Sequence, residues 1–453
     1  MNQALRLRYM CASILLVGSS LTTYGQTLSL SSAFQKALQA DPAIQAAEQA
    51  LLAGREKNVQ GAALLKPQVA LAASVIGINS HAESTLPPQF AALAQPDTSG
   101  EVREAALQFT QPIYNASASS SKQQLMRQAE AAELSWRAAR QDLMMRVTEA
   151  YLMALGARES FSVCRSQSET FAQHRERAQA RFDLGTDKIT DLHEAAARYD
   201  AAFAQEVSAR SALELRIAQF YAVTGADTEN LAQLDPTISL DSLDVEGLES
   251  WQRKAMEQSA RISAKSIESS IAQLESRKFT LESRPTLDLI GSYASKSKTG
   301  DLSLLISADL QRTATIGLQL KVPLFSGGML NSRERETLAK FKQSELELAA
   351  TQRDVRLQTQ EAFLGVRTSL ARLHALQRTV QSLQTALDAT TLARDVGSRT
   401  QLDVLEVQQR LYGARLDLTQ SRIEILLNRM KLAWVVGELE ERDLKTVDKL
   451  TKK

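Results

Sequence analysis

The chain is poor in helix breakers. Its 453 residues include nine prolines, about 2% where roughly 5% is usual, and its 19 glycines are about 4% against roughly 7%. All nine prolines lie between Pro42 and Pro323, with none between Pro112 and Pro236 and none after Pro323. Two proline-free tracts of more than about a hundred residues therefore permit helices far longer than the ordinary three turns or so. A global charge excess is also missing. Lys+Arg at 53 against Asp+Glu at 52 gives a net charge of +1, which offers nothing to a nucleic acid. No GxSxG, HExxH, P-loop or paired-cysteine signature occurs, so the chain is not expected to be an enzyme or to hold a cofactor. His81, His174, His193 and His374 lack metal-ligand spacing and are expected at the surface or in packing. After the N-terminal segment, no run approaches 18 apolar residues, which excludes a transmembrane helix.

Residues 1–25 have the pattern of a cleaved secretory signal. Arg6 and Arg8 form a basic start, Met10 to Val17 a short apolar run, and Thr23 and Gly25 small residues at a cleavage site. The apolar run is too short to span a bilayer. Cys11 falls inside this signal, leaving Cys164 alone and without a partner for an internal disulfide. No cysteine follows at the spacing of a lipid anchor.

The remaining sequence repeats itself. Leu64–Val69 resembles Glu282–Leu287, with Pro67 and Pro285 at an offset of 218. Gln108–Tyr114 resembles Gln319–Phe325 at 211, and Gly185 with Asp191 resembles Gly397 with Asp403 at 212. Gly225 and Gly437 are again 212 apart. The offset changes only between the first and second strand, so the first half carries the longer loop, expected over Gly77 to Gly100 with Pro87, Pro88 and Pro96. Boundaries follow: a first repeat over 26–225, a connector over 226–250 with Pro236, a second repeat over 251–439, and a short polar tail over 440–453.

Each half is expected to run helix, strand, loop, strand, very long helix, glycine turn, helix. The strands alternate with period two. Ile316, Leu318, Leu320 and Val322 fall on one face, as do Leu287, Leu289 and Tyr293; Val69, Leu71, Ala73 and Val75; and Leu107 with Phe109. Segments of about ten residues with this pattern suit transmembrane β-strands, whose smallest barrels need about eight. Four strands per chain cannot close a barrel, and an open sheet cannot exist in lipid, so several chains must share one. The long helices are expected from about Ala116 to Leu184 and from about Met329 to Val396. In the returning helix Leu405, Gln409, Tyr412, Leu416, Thr419, Ile423, Leu426, Met430 and Ala433 are spaced alternately four and three, a coiled-coil seam.

These features resemble the TolC family of bacterial outer-membrane channels. The carriers are Val322–Gly328, Val396–Leu405, Leu411–Ala414 and Trp434–Leu439, with Arg181–Gly185 and Tyr199-Asp200 in the first half. The resemblance implies a mainly α chain with a small β part. Its internally duplicated, antiparallel helical hairpins would form an α-barrel, and four strands per chain would join a trimeric 12-stranded β-barrel. It implies a homotrimer in outer-membrane lipid, exporting substrates handed over by an inner-membrane pump and a periplasmic adaptor protein. A soluble periplasmic coiled-coil adaptor is the competing reading, which the alternating strands disfavour.

A channel concentrates its chemistry at its constriction. Asp403 and Glu406 are three apart and share a helix face. The resemblance places pore-constriction acids at these two positions, where copies would form stacked carboxylate rings that attract cations and repel one another unless neutralised. It likewise implies that Arg399 and Asp191 belong to the closing network of the gate. Arg394 and Glu406 depart from the residues usual there. Gly185 and Gly397 are expected as hairpin-tip turns with positive φ, where a partner hairpin would dock.

Overall fold

The computed structural model describes residues 28–81, 97–186, 188–226, 233–234, 240, 245, 247–300 and 310–452. The expected signal, Pro87, Pro88, Pro96, Pro236 and most of the expected connector lie outside them. In chain order the elements are α1 (Leu30–Ala40), α2 (Pro42–Ala63), β1 (Gln68–Ser80), β2 (Thr98–Tyr114), α3 (Ala116–Asp183), α4 (Ile189–Thr224) and β3 (Gln233–Leu234). The second series is α5 (Leu248–Gln258), α6 (Ala260–Glu282), β4 (Thr286–Gly300), β5 (Leu310–Lys321), α7 (Met329–Asp395), α8 (Gln401–Val436), α9 (Glu441–Lys449) and β6 (Thr451–Lys452).

The two long helices have 68 and 67 residues, each spanning ~100 Å at the usual rise. Neither stands alone. The shorter helices α2 and α4 lie along α3, and α6 and α8 lie along α7, while α3 also contacts α6 and α8. A helix of this length is held by packing along its flanks rather than by propensity. Gly156 shows how close α3 and α8 come, since a Cβ there would sit 2.9 Å from Ile423 Cγ1.

The seam on α8 is buried at Leu405, Tyr412, Ile423, Leu426, Met430 and Ala433, while Gln409 is exposed. A second stripe, Val404, Leu411, Ile425 and Leu432, is equally buried. One seam accounts for one neighbour, but α8 is wedged between α7 and α3 and needs two apolar faces.

The main core lies midway along α3, where Leu143, Val147, Tyr151, Leu152 and Leu155 meet Phe34, Phe220, Ile425 and Leu444. Here the expected polar tail is corrected. Residues 441–449 form α9, with Leu444 and Val447 buried, because apolar residues three apart make one stripe in an otherwise polar stretch. Asp448 then accepts from the free amides of α1, at 2.7 Å from Leu30 N and 3.2 Å from Ser31 N. The C-terminal segment therefore caps the first helix.

β1, β2, β4 and β5 form one antiparallel sheet in the order β1-β2-β4-β5. Its register separates two faces. Val69 stands opposite Phe109, Phe109 opposite Gly291, and Gly291 opposite Ile316. Leu71, Leu107, Tyr293 and Ala314 form the next row. This face is apolar yet open to the surroundings, with Leu71 74% and Ile316 81% exposed. The other face carries Gln108, Ser292 and Thr315 in one row and Glu104, Lys296 and Gln311 in another. The apolar band ends where Arg103 pairs with Glu101 at 2.8 Å. The expected loop over Gly77–Gly100 is shorter than the spacing suggested: Gly77 pairs with Glu101 and Ile78 with Gly100, so both glycines are strand residues.

Candidate functional site

Both long helices end in the same turn. At the first tip, Gly185 N donates to Phe182 O at 2.8 Å and Thr186 N to Arg181 O at 3.0 Å. At the second, Gly397 N donates to Arg394 O at 2.9 Å and Ser398 N to Ala393 O at 2.9 Å. The glycines have φ of 72° and 78°, the left-handed region that a Cβ disfavours. The hydroxyls of Thr186 and Ser398 reinforce the turns, each 2.9 Å from the same carbonyl its amide uses.

The helices leaving these turns start differently. Thr400 caps α8 through a reciprocal box: Asp403 N donates to Thr400 Oγ1 at 3.2 Å, and Thr400 N donates to Asp403 Oδ2 at 2.8 Å. Two donors orphaned at the helix end are thereby satisfied. The backbone amide of Thr400, and then its hydroxyl at 2.9 Å from Oδ2, hold the Asp403 carboxyl below its usual range. Its other oxygen, Oδ1, lies 3.7 Å from Arg399 Nη1. Glu406, one turn on, meets Arg410 at 3.0 Å. The structure thus brings Asp403 and Glu406 of α8 into line with Arg399 of the turn before it. Each acid there has an arginine beside it. Glu406 and Arg410 are four apart on a helix, a spacing that could have signalled the pair.

Asp191 occupies the first turn of α4, whose N-cap is Lys188 with no side-chain cap bond. Among the described residues Asp191 makes no side-chain bond to Arg399; the arginine turns to Asp403 of its own hairpin.

A polar chain links the hairpins behind the tip. Arg394, in the last turn of α7, donates to Gln401 Oε1 at 3.1 Å. Gln401 Nε2 donates to His174 Nδ1 at 3.1 Å, and His174 Nε2 donates to Gln408 Oε1 at 2.8 Å. Each group has one direction to fill, and only a neutral imidazole satisfies both neighbours. Burial lowers the His174 pKa from its ordinary 6.5; the bond to Gln408 opposes this, while the nearby Arg177 and Arg394 cations add to it. Further along, Tyr412 OH donates to Ser166 O at 3.3 Å, and Arg198 of α4 bonds to Gln409. These contacts tie α8 to both helices of the other hairpin. His174, Gln401 and Gln408 escaped the sequence reading because no spacing rule links residues more than two hundred positions apart. Among the described residues no group of acids, histidines and cysteines could hold a metal ion.

A body of long packed helices, a tip of paired charges and an open sheet with one apolar face together suit a conduit ending in a membrane. The profile of the family described as outer membrane efflux protein matches residues 33–226 and 254–438. The chain belongs to that family. It is an outer-membrane export channel. Among its relatives, outer membrane protein TolC of Vibrio cholerae is 29% identical over 348 residues, covering 77% of this chain and 80% of that protein. Alkaline protease secretion protein AprF of Pseudomonas aeruginosa is 28% identical over 430 residues, covering 93% and 86%. The crystal structure of VceC from Vibrio cholerae superposes with a TM-score of 0.75 at 18% identity, over 90% of this chain and 96% of that one. The likeness to VceC is one of fold.

Proposed function

We propose that three copies of this chain close one 12-stranded β-barrel in the outer membrane, and that their hairpins form a periplasmic tube gated at its tip. The carrying observation is the four-stranded antiparallel sheet whose edges, β1 and β5, are unpaired among the described residues, with an exposed apolar face. With four alternating strands, β5 runs antiparallel to β1, so the edge of one copy fits the opposite edge of the next and rotation closes the ring. Two copies would give about eight strands, whose interior side chains fill; three leave a lumen. The polar face, with Gln108, Ser292, Thr315, Glu104 and Lys296, lines that lumen, and the apolar face meets lipid.

In this reading Asp403 and Glu406 stand at the constriction, with Arg399 and Asp191 in the closing network. The turns at Gly185 and Gly397 meet a periplasmic adaptor and an inner-membrane pump. Residues 1–25 are removed on export. A relative named for protease secretion matches 93% of the chain, which supports protein cargo of a one-step secretion system. Carbonate-washed outer membranes run unheated on a gel should retain the chain as a trimer, and quantitative release as a monomer would overturn the proposal. Replacing Asp403 and Glu406 by Ala should change cation selectivity or conductance in planar bilayers. Unchanged values would remove them from the constriction.

A further inference from the structure

We infer that the tip of this channel is charge-balanced by arginines on and just before its own helix, and that Arg410 sets how weakly the constriction holds multivalent cations. The inference rests on the proposed placement of Asp403 and Glu406 at the constriction.

Positions 399, 403, 406 and 410 are spaced four, three and four, so Arg399, Asp403, Glu406 and Arg410 follow one another along a single side of α8 and the turn before it. Arg410 Nη2 is 3.0 Å from Glu406 Oε1. The acid precedes the base by four residues, the favourable order on a helix. Asp403 is held by Thr400 through one oxygen and faces Arg399 with the other. The stripe therefore carries two positive and two negative charges. Two charged pairs lie on neighbouring elements. At the end of α7, Arg394 and Asp395 pair with each other at 2.5 Å. On α4, Arg198 is paired with Glu194 at 2.8 Å.

Such exposed pairs contribute little stability, but cancelling a field does not require a strong bond. A ring of bare carboxylates projects a negative potential across a pore, while carboxylates with cations a few ångströms away act as dipoles, whose field dies within the screening length of about 8 Å. Arg410 is joined to Glu406 by one helical turn. It therefore travels with the acid when the tip opens, and neutralisation persists in both states.

The test uses the full-length channel in planar bilayers at low ionic strength, with lanthanum(III) added as a trivalent probe. Arg410→Ala should lower the half-blocking lanthanum concentration by about tenfold and shift the reversal potential towards cation selectivity. Arg399→Ala should act in the same direction. Arg410→Lys keeps the charge and should block like the parent. Glu406→Gln introduced into the Arg410→Ala channel should reverse the gain. Assembly of each variant is checked on unheated gels. If the Arg410→Ala and Arg399→Ala channels block like the parent while Asp403→Asn with Glu406→Gln alters conductance, the constriction stands and the balance is refuted. If no substitution changes anything, the constriction placement fails and carries this inference down with it.

Discussion

At the α3/α4 tip, Gly185 and Thr186 close the helix with the same bonds that Gly397 and Ser398 make at the α7/α8 tip, yet the helices that follow begin differently. Lys188 stands where, 212 residues later, Thr400 stands, and Asp191 corresponds to Asp403. Threonine can accept the amide of Asp403 and close a capping box, whereas lysine has no acceptor to offer. The duplicated acid is thus fixed in one copy and left without a cap partner in the other. Duplication conserved the turn, which only backbone geometry dictates, and let the side-chain lock diverge. The second tip has the additional side-chain lock, and it carries the paired charges.

The largest expected effect probes what the tips share. Gly185→Val and Gly397→Val each force a branched side chain into a positive-φ position, at a cost of about 1–2 kcal/mol or more. Amide exchange around both turns should accelerate by similar factors, and a response at only one tip would break the equivalence. Next comes the difference. Thr400→Ala should cost α8 about 1 kcal/mol of end stability and raise exchange in its first turn, while Lys188→Ala should leave the first turn of α4 unchanged. An equal response would show that the box adds nothing. Lys188→Thr should then transfer the lock, slowing exchange at the start of α4 by up to about fivefold, roughly 1 kcal/mol. No slowing would mean that Asp191 is committed elsewhere in the assembly.

The smallest effect is a pH dependence. His174 binds its proton less readily in the folded tip than in the unfolded chain. Its contribution is therefore fully present above the ordinary value of 6.5, fades as pH falls through it, and levels off below the depressed folded value. Once charged, Nδ1 can no longer accept from Gln401. Exchange in the first turn of α8 should rise on acidification, and His174→Gln should flatten that profile. A profile that persists in the variant would assign the effect to the tip carboxylates instead.

Much of the fold was legible because its signals are local. The lack of proline allowed the long helices, whose observed ends, Asp183 and Asp395, differ from the expected ones by a single residue. Period-two alternation separated the apolar and polar faces of all four sheet strands. The second buried stripe of α8 was not legible, since one heptad seam reports one neighbour and Val404, Leu411, Ile425 and Leu432 face another. Nor was the cap that Asp448 places on α1, which joins the two ends of the chain. At the tip, residue types and spacing pointed to Asp403 and Glu406. The Thr400 cap on Asp403 was not legible, whereas the spacing of Glu406 and Arg410 could have signalled their pair.

The unpaired edges of β1 and β5 also bear on how the protein reaches its membrane. A single chain cannot satisfy those edges in lipid, so on the proposed three-chain barrel an inserted one-chain stage is not expected. Insertion waits on encounter, and its rate rises with more than the first power of chain supply. Halving export of the chain should therefore slow barrel formation by more than about twofold, making channel number a steep readout of expression.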